Sequence, residues 1–586
     1  MRINRRRMMG AALATAAASR LGLDGRLGAL AQEASPAAGA SPVATYEPVT
    51  SIGRQEYADA LFAAFPMGEA EQTGGQVIWG QSTDISTTNV ILAADDPTNP
   101  LLGLIFEGLT SSSVIDGQPV PGLADSWERA ADGVTYTFHL NPTVTWHDGE
   151  PLTAADVLFS MDAQLDPATG SQYTSSVEAA VQSYRVIDDH TFEVVSDGPR
   201  ANFLFDLIVP VMPKHIWENV PHAEWAQDPG SIGQDPARVV GSGPFKFVEW
   251  VQGDHVTLER NPDYWDTVTG HVPNIDRLTM QVFPDDTTMV QALKTGQIDF
   301  NDRLPPAEVE GLQQTPGIAV TVFPTFNFNY YTMNLDPEKT TLFEDVKVRQ
   351  ALIEALDRQA IIENIFLGLG EVAIGTQSLL STAYAPDKIA NPFAFNIDNA
   401  KQLMDEAGWT ETNADGVRVR DGKPFQFQLT YSEGAGVYEQ LVPYMQQQWR
   451  TLGINMEPNP VPFPTLLKDI TETHDYDMAL LAFSWVADPD QKAMFACDQY
   501  EGGFNTGRYC NSEYDDLAHA SDRELDAEKR LAMIVEASGI VWDDQPVGIL
   551  RFSESAAAAT DKLKNFNVNG YSAATWSMPW VWLASS

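Results

Sequence analysis

The segment Phe483-Ser484-Trp485-Val486-Ala487-Asp488-Pro489-Asp490 carries the most promising chemistry in the chain. An apolar run, Asp477–Trp485, ends in an aromatic residue and passes into an acidic turn. A carboxylate at such a turn makes a strong charge-assisted bond to a cation when it sits in a cleft poor in water. Outside a cleft, Asp488 would simply open the turn before Pro489. The other reactive constellations are missing. No H-E-x-x-H, no G-x-x-x-x-G-K-S/T and no C-x-x-C occurs. Ser242, in Gly241-Ser242-Gly243-Pro244, lacks the strand–G-x-S-x-G–helix setting of a hydrolase nucleophile. His139 and His147 fall on different elements and read as core or surface histidines. Adjacent acids such as Asp188-Asp189, Asp285-Asp286 and Asp543-Asp544 are expected on solvated turns in a chain with 80 acidic residues. Neither catalysis nor a cofactor is expected.

The elements around these residues begin with an export signal. Arg5, Arg6 and Arg7 precede a weakly apolar, alanine-rich stretch, and Ala29-Leu30-Ala31 supplies a small-x-small cleavage site. Twin arginines before so modest an apolar segment read as a twin-arginine leader over residues 1–31. No cysteine follows the cleavage site, so no lipid anchor is expected there. In an exported chain the two cysteines present, Cys497 and Cys510, pair by default. Closing that loop contributes about 3 kcal/mol. Histidines at ligand spacing are lacking around the pair, so a metal is not expected.

A net charge of −44 excludes nucleic acid as a partner, because phosphates need clustered Lys and Arg. It also disfavours anionic membrane surfaces. No stretch approaches the roughly 18 apolar residues of a membrane helix, and a soluble, monomeric mature protein is expected. At 586 residues the chain exceeds the single core that stops growing at about 250–300. Glu33–Thr45 is Ala/Ser/Pro-rich and too poor in apolar residues to fold, so residues 32–74 read as a linker, with one short amphipathic helix open at Glu56–Phe65.

Beyond Gly74-Gly75, strands and helices interleave. Gln76–Gly80 and Thr135–Leu140 read as strands, and Arg185–Ile187 with Thr191–Val195 as a hairpin. Thr153 with Asp156 opens a helix. Val346–Phe366 keeps a buried stripe at helical spacing and reads as one helix. Asp398 caps another helix that ends at Gly408, Tyr438–Leu452 makes a third, and Asp477–Trp485 is a buried strand. Such alternation implies α/β sheets with packed helices.

Several segments, in this order, resemble the extracytoplasmic solute-binding proteins of peptide/nickel-type ABC importers (family 5). They are Leu123–Trp127 leading to Tyr136–Leu140, then Trp146–Val157, Gly241–Phe245, Arg260–Trp265, Asp345–Leu352 and Ala407-Gly408-Trp409. The resemblance runs from about Gly75 to Trp580. It implies a two-lobed periplasmic-binding-protein fold of class II, the large type with an extra subdomain. Lobe I would take residues 75–326 and 553–586, and lobe II residues 327–552. The hinge would lie near Phe326–Leu335 and Leu550–Ser555. It further implies that a di- or oligopeptide is bound between the lobes and delivered to an ABC permease, with periplasm or envelope exterior as location. In the peptide-binding branch a Trp-x-small-Asp pattern supplies a carboxylate for the peptide's ammonium, and Trp485 and Asp488 match it. Some relatives also carry a cysteine pair at the place of Cys497 and Cys510. A departure stands at Gly375–Ser381, where relatives often have a Gly-Pro-Ile-Pro-like stretch; this leaves ligand size open. Arg349 and Arg358 read as surface or structural cations, so no partner for a peptide carboxylate is named. The same fold could instead hold an oligosaccharide or a metal chelate; an exported hydrolase is the distant alternative.

Overall fold

The computed structural model describes residues 46–585 except 47, 208, 501 and 502. The expected leader at 1–31 and the tether Glu33–Thr45 lie outside the described residues. Part of the expected linker is built into the body. Val49–Thr50 (β1) pairs with a sheet strand, and Arg54–Ala64 (α1) follows it. Tyr57, Ala58 and Leu61, on one helical face, are buried. Arg54 anchors the start of α1. Its Nε donates to Asp125 at 2.8 Å and its Nη1 to Asp266 at 2.7 Å, while the guanidinium lies 4.8 Å over the Trp265 ring.

Next come Gln76–Gln81 (β2) and a short hairpin, Thr110–Ser112 (β3) with Pro119–Pro121 (β4). Ala124–Arg129 (β5), Thr135–Leu140 (β6), Val181–Asp188 (β7) and Thr191–Ser196 (β8) form an antiparallel sheet in the order β1-β5-β6-β8-β7. The alternation of TYTFHL becomes a half-buried strand, with Tyr136, Phe138 and Leu140 inward. The helix Ala154–Leu165 (α2) starts as expected: Asp156 accepts from the Thr153 amide at 2.9 Å.

Phe245–Val251 (β9), His255–Arg260 (β10), Arg277–Val282 (β11), Phe300–Asn301 (β12) and the long Ile318–Met333 (β13) follow. The second half adds Gln426–Ser432 (β14), Asn455–Val461 (β15), Met478–Ser484 (β16) and Val547–Thr560 (β17). The large sheet is eleven-stranded, in the order β15-β14-β16-β13-β17-β12-β2-β11-β10-β9, with Glu371–Val372 paired to β17 off that path. β2 runs parallel to β11, and β14 parallel to β15 and β16; β13 is antiparallel to both β16 and β17.

The core separates along this sheet. One cluster gathers Phe328, Tyr331, Trp449, Leu480 and Trp542 around β13, β14 and β16. A second holds Val77, Trp79, Phe245 and Leu278 around β2 and β9–β11. A third lies under the smaller sheet, with Phe138, Trp146 and Phe192. β13 and β17 run through both ends of the large sheet, paired from Ile318↔Thr560 to Thr332↔Val547, and their ladder breaks between Pro324 and Phe328.

Two helix readings need correction. The stripe over Val346–Phe366 is two helices, Val346–Glu354 and Arg358–Asn364, because Asp357 caps a new start by accepting from the Ala360 amide at 3.0 Å. The cap of Ile397–Glu406 is Asn396 rather than Asp398, which lies in the first turn. Arg349 and Arg358 are not on the surface. Both are buried and spend their guanidinium donors on main-chain carbonyls, Arg349 on Phe343, Glu344 and Asp544, and Arg358 on Ala373, Ile549, Pro392 and Phe393.

Candidate ligand-binding cleft

β16 carries its apolar face into the core and ends at Ser484, leaving Trp485–Asp490 as a turn. The Trp485 ring stacks on Phe328 at 5.2 Å and meets Phe483 edge-on at 5.3 Å, while its indole N–H donates to the Thr376 carbonyl at 3.0 Å. Three contacts thus fix the ring. The stretch that departs from the resemblance does the fixing: Gln491 also donates to the Thr376 carbonyl, and Gln377 donates to the carbonyl of Pro489. Gly375–Ser381 therefore braces the turn from behind.

Asp488 is 5% exposed. Its Oδ1 accepts from Arg530 Nη2 at 2.7 Å and from the Asp490 amide at 3.0 Å; its Oδ2 is buried and, among the described residues, has no hydrogen-bond partner. Arg530 comes from the helix Ala527–Asp544 (α3). Lys492 pairs with Asp522 at 2.6 Å beside it. Burial and the neighbouring carboxylates of Asp488 and Asp522 push the Asp490 carboxyl above its usual range, although its bond from the Lys492 amide works the other way. The same carboxylates raise the Arg530 guanidinium against the opposing pull of burial. Three acidic side chains, Asp488, Asp490 and Asp522, thus meet two cations, Arg530 and Lys492. Sequence reasoning named Asp488 but missed its partner, because Arg530 lies 42 residues away on an otherwise polar helix turn.

Trp485, Val486, Ala487 and Asp488 line a chamber of about 740 Å³ that is also bordered by Phe106, Ser111, Gly117, Asn202, Leu204 and Val209. It adjoins a larger cleft of about 1290 Å³ along the broken stretch of β13 and β17, and both cavities touch Ser111, Ser112, Phe326 and Tyr571. The β3–β4 hairpin closes the chamber. Gly117, at φ +74°, approaches Ala487 so closely that a Cβ there would stand 2.4 Å from the Ala487 methyl. The Val114 amide in the loop of this hairpin donates to the Tyr57 hydroxyl of α1 at 3.1 Å, and Asn569 donates to the Val114 carbonyl at 2.8 Å.

The remaining motifs meet behind this wall, at a residue the sequence reading did not single out. Glu107 accepts from Ser242 Oγ at 2.7 Å, Trp265 Nε1 at 2.8 Å and Tyr264 OH at 3.0 Å. Burial pushes its carboxyl up to about 7, against the lowering effect of these three donors. Gly241 and Gly243 are glycines because side chains there would collide with the carbonyls of Ile105 and Leu104. His147 accepts from the Gly241 amide through Nδ1 and donates through Nε2 to the Gly243 carbonyl; burial lowers its pKa to about 4. Trp146–Val157, Gly241–Phe245 and Arg260–Trp265 thus lock one another. The signal for Glu107 was present as the one charge inside the apolar run Leu101–Leu109.

Cys497 and Cys510 form a disulfide, with Cα atoms 4.6 Å apart. No helix among the described residues is long and apolar enough to cross a membrane.

Residues 118–505 match the model of the bacterial extracellular solute-binding proteins, family 5 middle region. The chain belongs to this family. It is 30% identical to the oligopeptide-binding protein AppA of Bacillus subtilis over 84% of this chain and 89% of that protein. It is 25% identical to the dipeptide-binding protein of Escherichia coli over 79% and 86% of the two chains. Among solved structures it resembles that of Bacillus subtilis AppA in complex with a nonapeptide, at 28% identity and a TM-score of 0.69, covering 88% of this chain and all of that one. The two-lobed binding-protein fold of the family accounts for the division of the core along the large sheet. In this family 5 chain the chamber and the adjoining cleft lie where the two parts of that core face each other.

Proposed function

We propose that this family 5 protein is the extracytoplasmic solute-binding component of an ABC importer. It captures a di- or oligopeptide in the cleft and hands it to the permease, acting as a monomer and catalysing no reaction. The observation that carries this reading is Asp488, an almost fully buried carboxylate whose residue lines the chamber and whose Oδ2 has no hydrogen-bond partner among the described residues. A peptide α-ammonium entering the chamber would pair with this carboxylate once the Asp488 side chain turns toward it. The names of the relatives, oligopeptide- and dipeptide-binding proteins, point the same way. Export through the leader at 1–31 is part of the proposal, as is the division into lobe I (75–326 and 553–586) and lobe II (327–552).

The backbone offers a second support. β16 pairs with β13 over its full length, but with β14 only at Met478 and Ala479. Trp485 N donates to Phe326 O, so by the alternation of an antiparallel ladder the amides of Ala482 and Ser484 point away from β13. Both residues border the larger cleft. An extended peptide can add to such an edge by main-chain bonds regardless of its sequence. A cleft of about 1290 Å³ beyond the chamber leaves room for more than two residues. A metal chelate is disfavoured, since no histidine lines either cavity among the described residues.

The direct test is native mass spectrometry of protein purified from its own host, followed by calorimetry with synthetic peptides. The expected result is a heterogeneous peptide mass adduct and binding that needs a free amino terminus. Retention of a sugar, or equal binding of N-acetylated peptides, would overturn the proposal.

A further inference from the structure

The β3–β4 hairpin that closes the chamber has a void behind it. A cavity of about 320 Å³ is bordered by Ser111, Ser112, Val114 and Val120 of the hairpin and by Tyr57 and Leu61 of α1. Over that stretch the hairpin is not pressed forward by a close-packed core. Two side chains hold its loop instead, both at Val114: the amide donates to the Tyr57 hydroxyl and the carbonyl accepts from Asn569. Tyr57 and Val114 are both buried, so losing the hydroxyl would leave the amide without an acceptor. The same loop carries Gly117, which meets Ala487 across the chamber. α1 is itself fixed at both ends. Arg54 ties its first turn to Asp125, Asp266 and the Gly122 carbonyl, and beyond its middle Phe62 and Phe65 meet Trp580 and Trp576 edge-on at 6.0 and 5.1 Å. The helix lies ahead of residues 118–505, the stretch that matches the family model.

We propose that α1 is a brace for this wall of the chamber and that Tyr57 is a positioning residue for ligand retention; the proposal rests on the capture reading just given. The hydroxyl holds the Val114 amide, and through it the loop Ser113–Gln118, forward against the turn at Ala487. Without that bond the loop can retreat into the void behind it, and Gly117 draws away from Ala487. Little movement is needed, since a gap of about 0.5–1 Å already forfeits a quarter to a half of a van der Waals contact. Trp485 and Asp488 stay in place, because Phe328, Phe483, Thr376 and Arg530 hold them from other elements. The loss therefore falls on how long a ligand is kept and not on how it is recognised.

The test is Tyr57→Phe in the full protein, which removes one hydroxyl and keeps the ring packed. The probe is tetra-alanine with a carboxy-terminal dansyl group, followed by stopped flow. Dissociation is expected to be about five- to tenfold faster, the scale of one neutral hydrogen bond. Association should change by no more than roughly twofold. Hydrogen exchange of the ligand-free protein is the second measurement. The amides of Ser113, Val114 and Gly117, all hydrogen-bonded in the natural protein, should exchange on the order of tenfold faster in the variant, with β5 and β6 unchanged. Unchanged dissociation overturns the proposal, as does unchanged exchange in the loop or a loss carried mainly by association. If the probe does not bind the natural protein, peptide capture is what fails, and exchange of the loop alone decides whether Tyr57 holds the hairpin.

Discussion

Replacing Asp488 by Asn separates a ligand contact from a structural one. The amide keeps the size of the carboxyl, and its oxygen can still accept from Arg530 and from the Asp490 amide, the two bonds now made by Oδ1. What changes is the charge. The substitution removes one acidic group from a cluster that sets Asp488, Asp490 and Asp522 against Arg530 and Lys492, and it leaves Asp490 and Asp522 beside the Arg530 guanidinium. Folding then costs less than the roughly 3–5 kcal/mol of leaving one member of a buried ion pair alone. The ligand, by contrast, loses a charged hydrogen bond worth about 1.5–3 kcal/mol, or about 10- to 150-fold in Kd. The assay is a calorimetric cycle in which a free and an N-acetylated peptide are each titrated into the natural protein and into Asp488→Asn. Acetylation should weaken binding strongly in the natural protein and little in the variant, with a coupling of about 1.5–3 kcal/mol. Asp522→Asn, which also removes one charge but does not line the chamber, is the control. A coupling near zero, or an equal loss in the control, would refute the ammonium contact.

Two further outcomes follow from the packing. Glu107 is pushed from 4.5 up to about 7 on folding, so its contribution to stability is fully present below pH 4.5 and is lost as pH rises through 7. Denaturant titrations should find Glu107→Gln lacking a decline of up to about 3 kcal/mol between pH 4.5 and 8 that the natural protein shows, and parallel pH profiles would show that Glu107 is not the group responsible. Replacing Cys497 and Cys510 together by Ser should lower stability by about 3 kcal/mol, read as a matching fall in the denaturation midpoint; a natural protein insensitive to reductant would contradict this.

Local sequence pattern carried much of the strand and helix content. The alternation in Thr135–Leu140 and the capping pair Thr153/Asp156 are short-range signals, and both elements form as expected. The stripe over Val346–Phe366 misled because both helices use the same buried face, and only the cap at Asp357 marks the division. Trp485 and Asp488 were legible as an aromatic-to-acid transition. Arg530 was not, since the two side chains meet only after α3 has packed across the turn. Glu107 was likewise hidden: its three donors come from two motifs some 135 to 158 residues downstream. Arg54 shows the same limit, since its partners Asp125 and Asp266 lie on other elements while its own neighbourhood looks like linker.

β13 and β17 are members of one continuous sheet, and that constrains any movement between its two ends. Two bodies joined by loops could swing freely. Here a change of angle must be absorbed as a change in the coil of the sheet itself, in which neighbouring strands are ordinarily rotated by about 20–25°. Thr325, Phe326 and Asn327 have no ladder partner on β17, so the torsion can concentrate there without breaking pairs elsewhere. The same three residues line the larger cleft. A ligand held in that cleft would rest on the torsion element itself, and an extended chain bonded along it would stiffen the sheet at the angle at which it was bound.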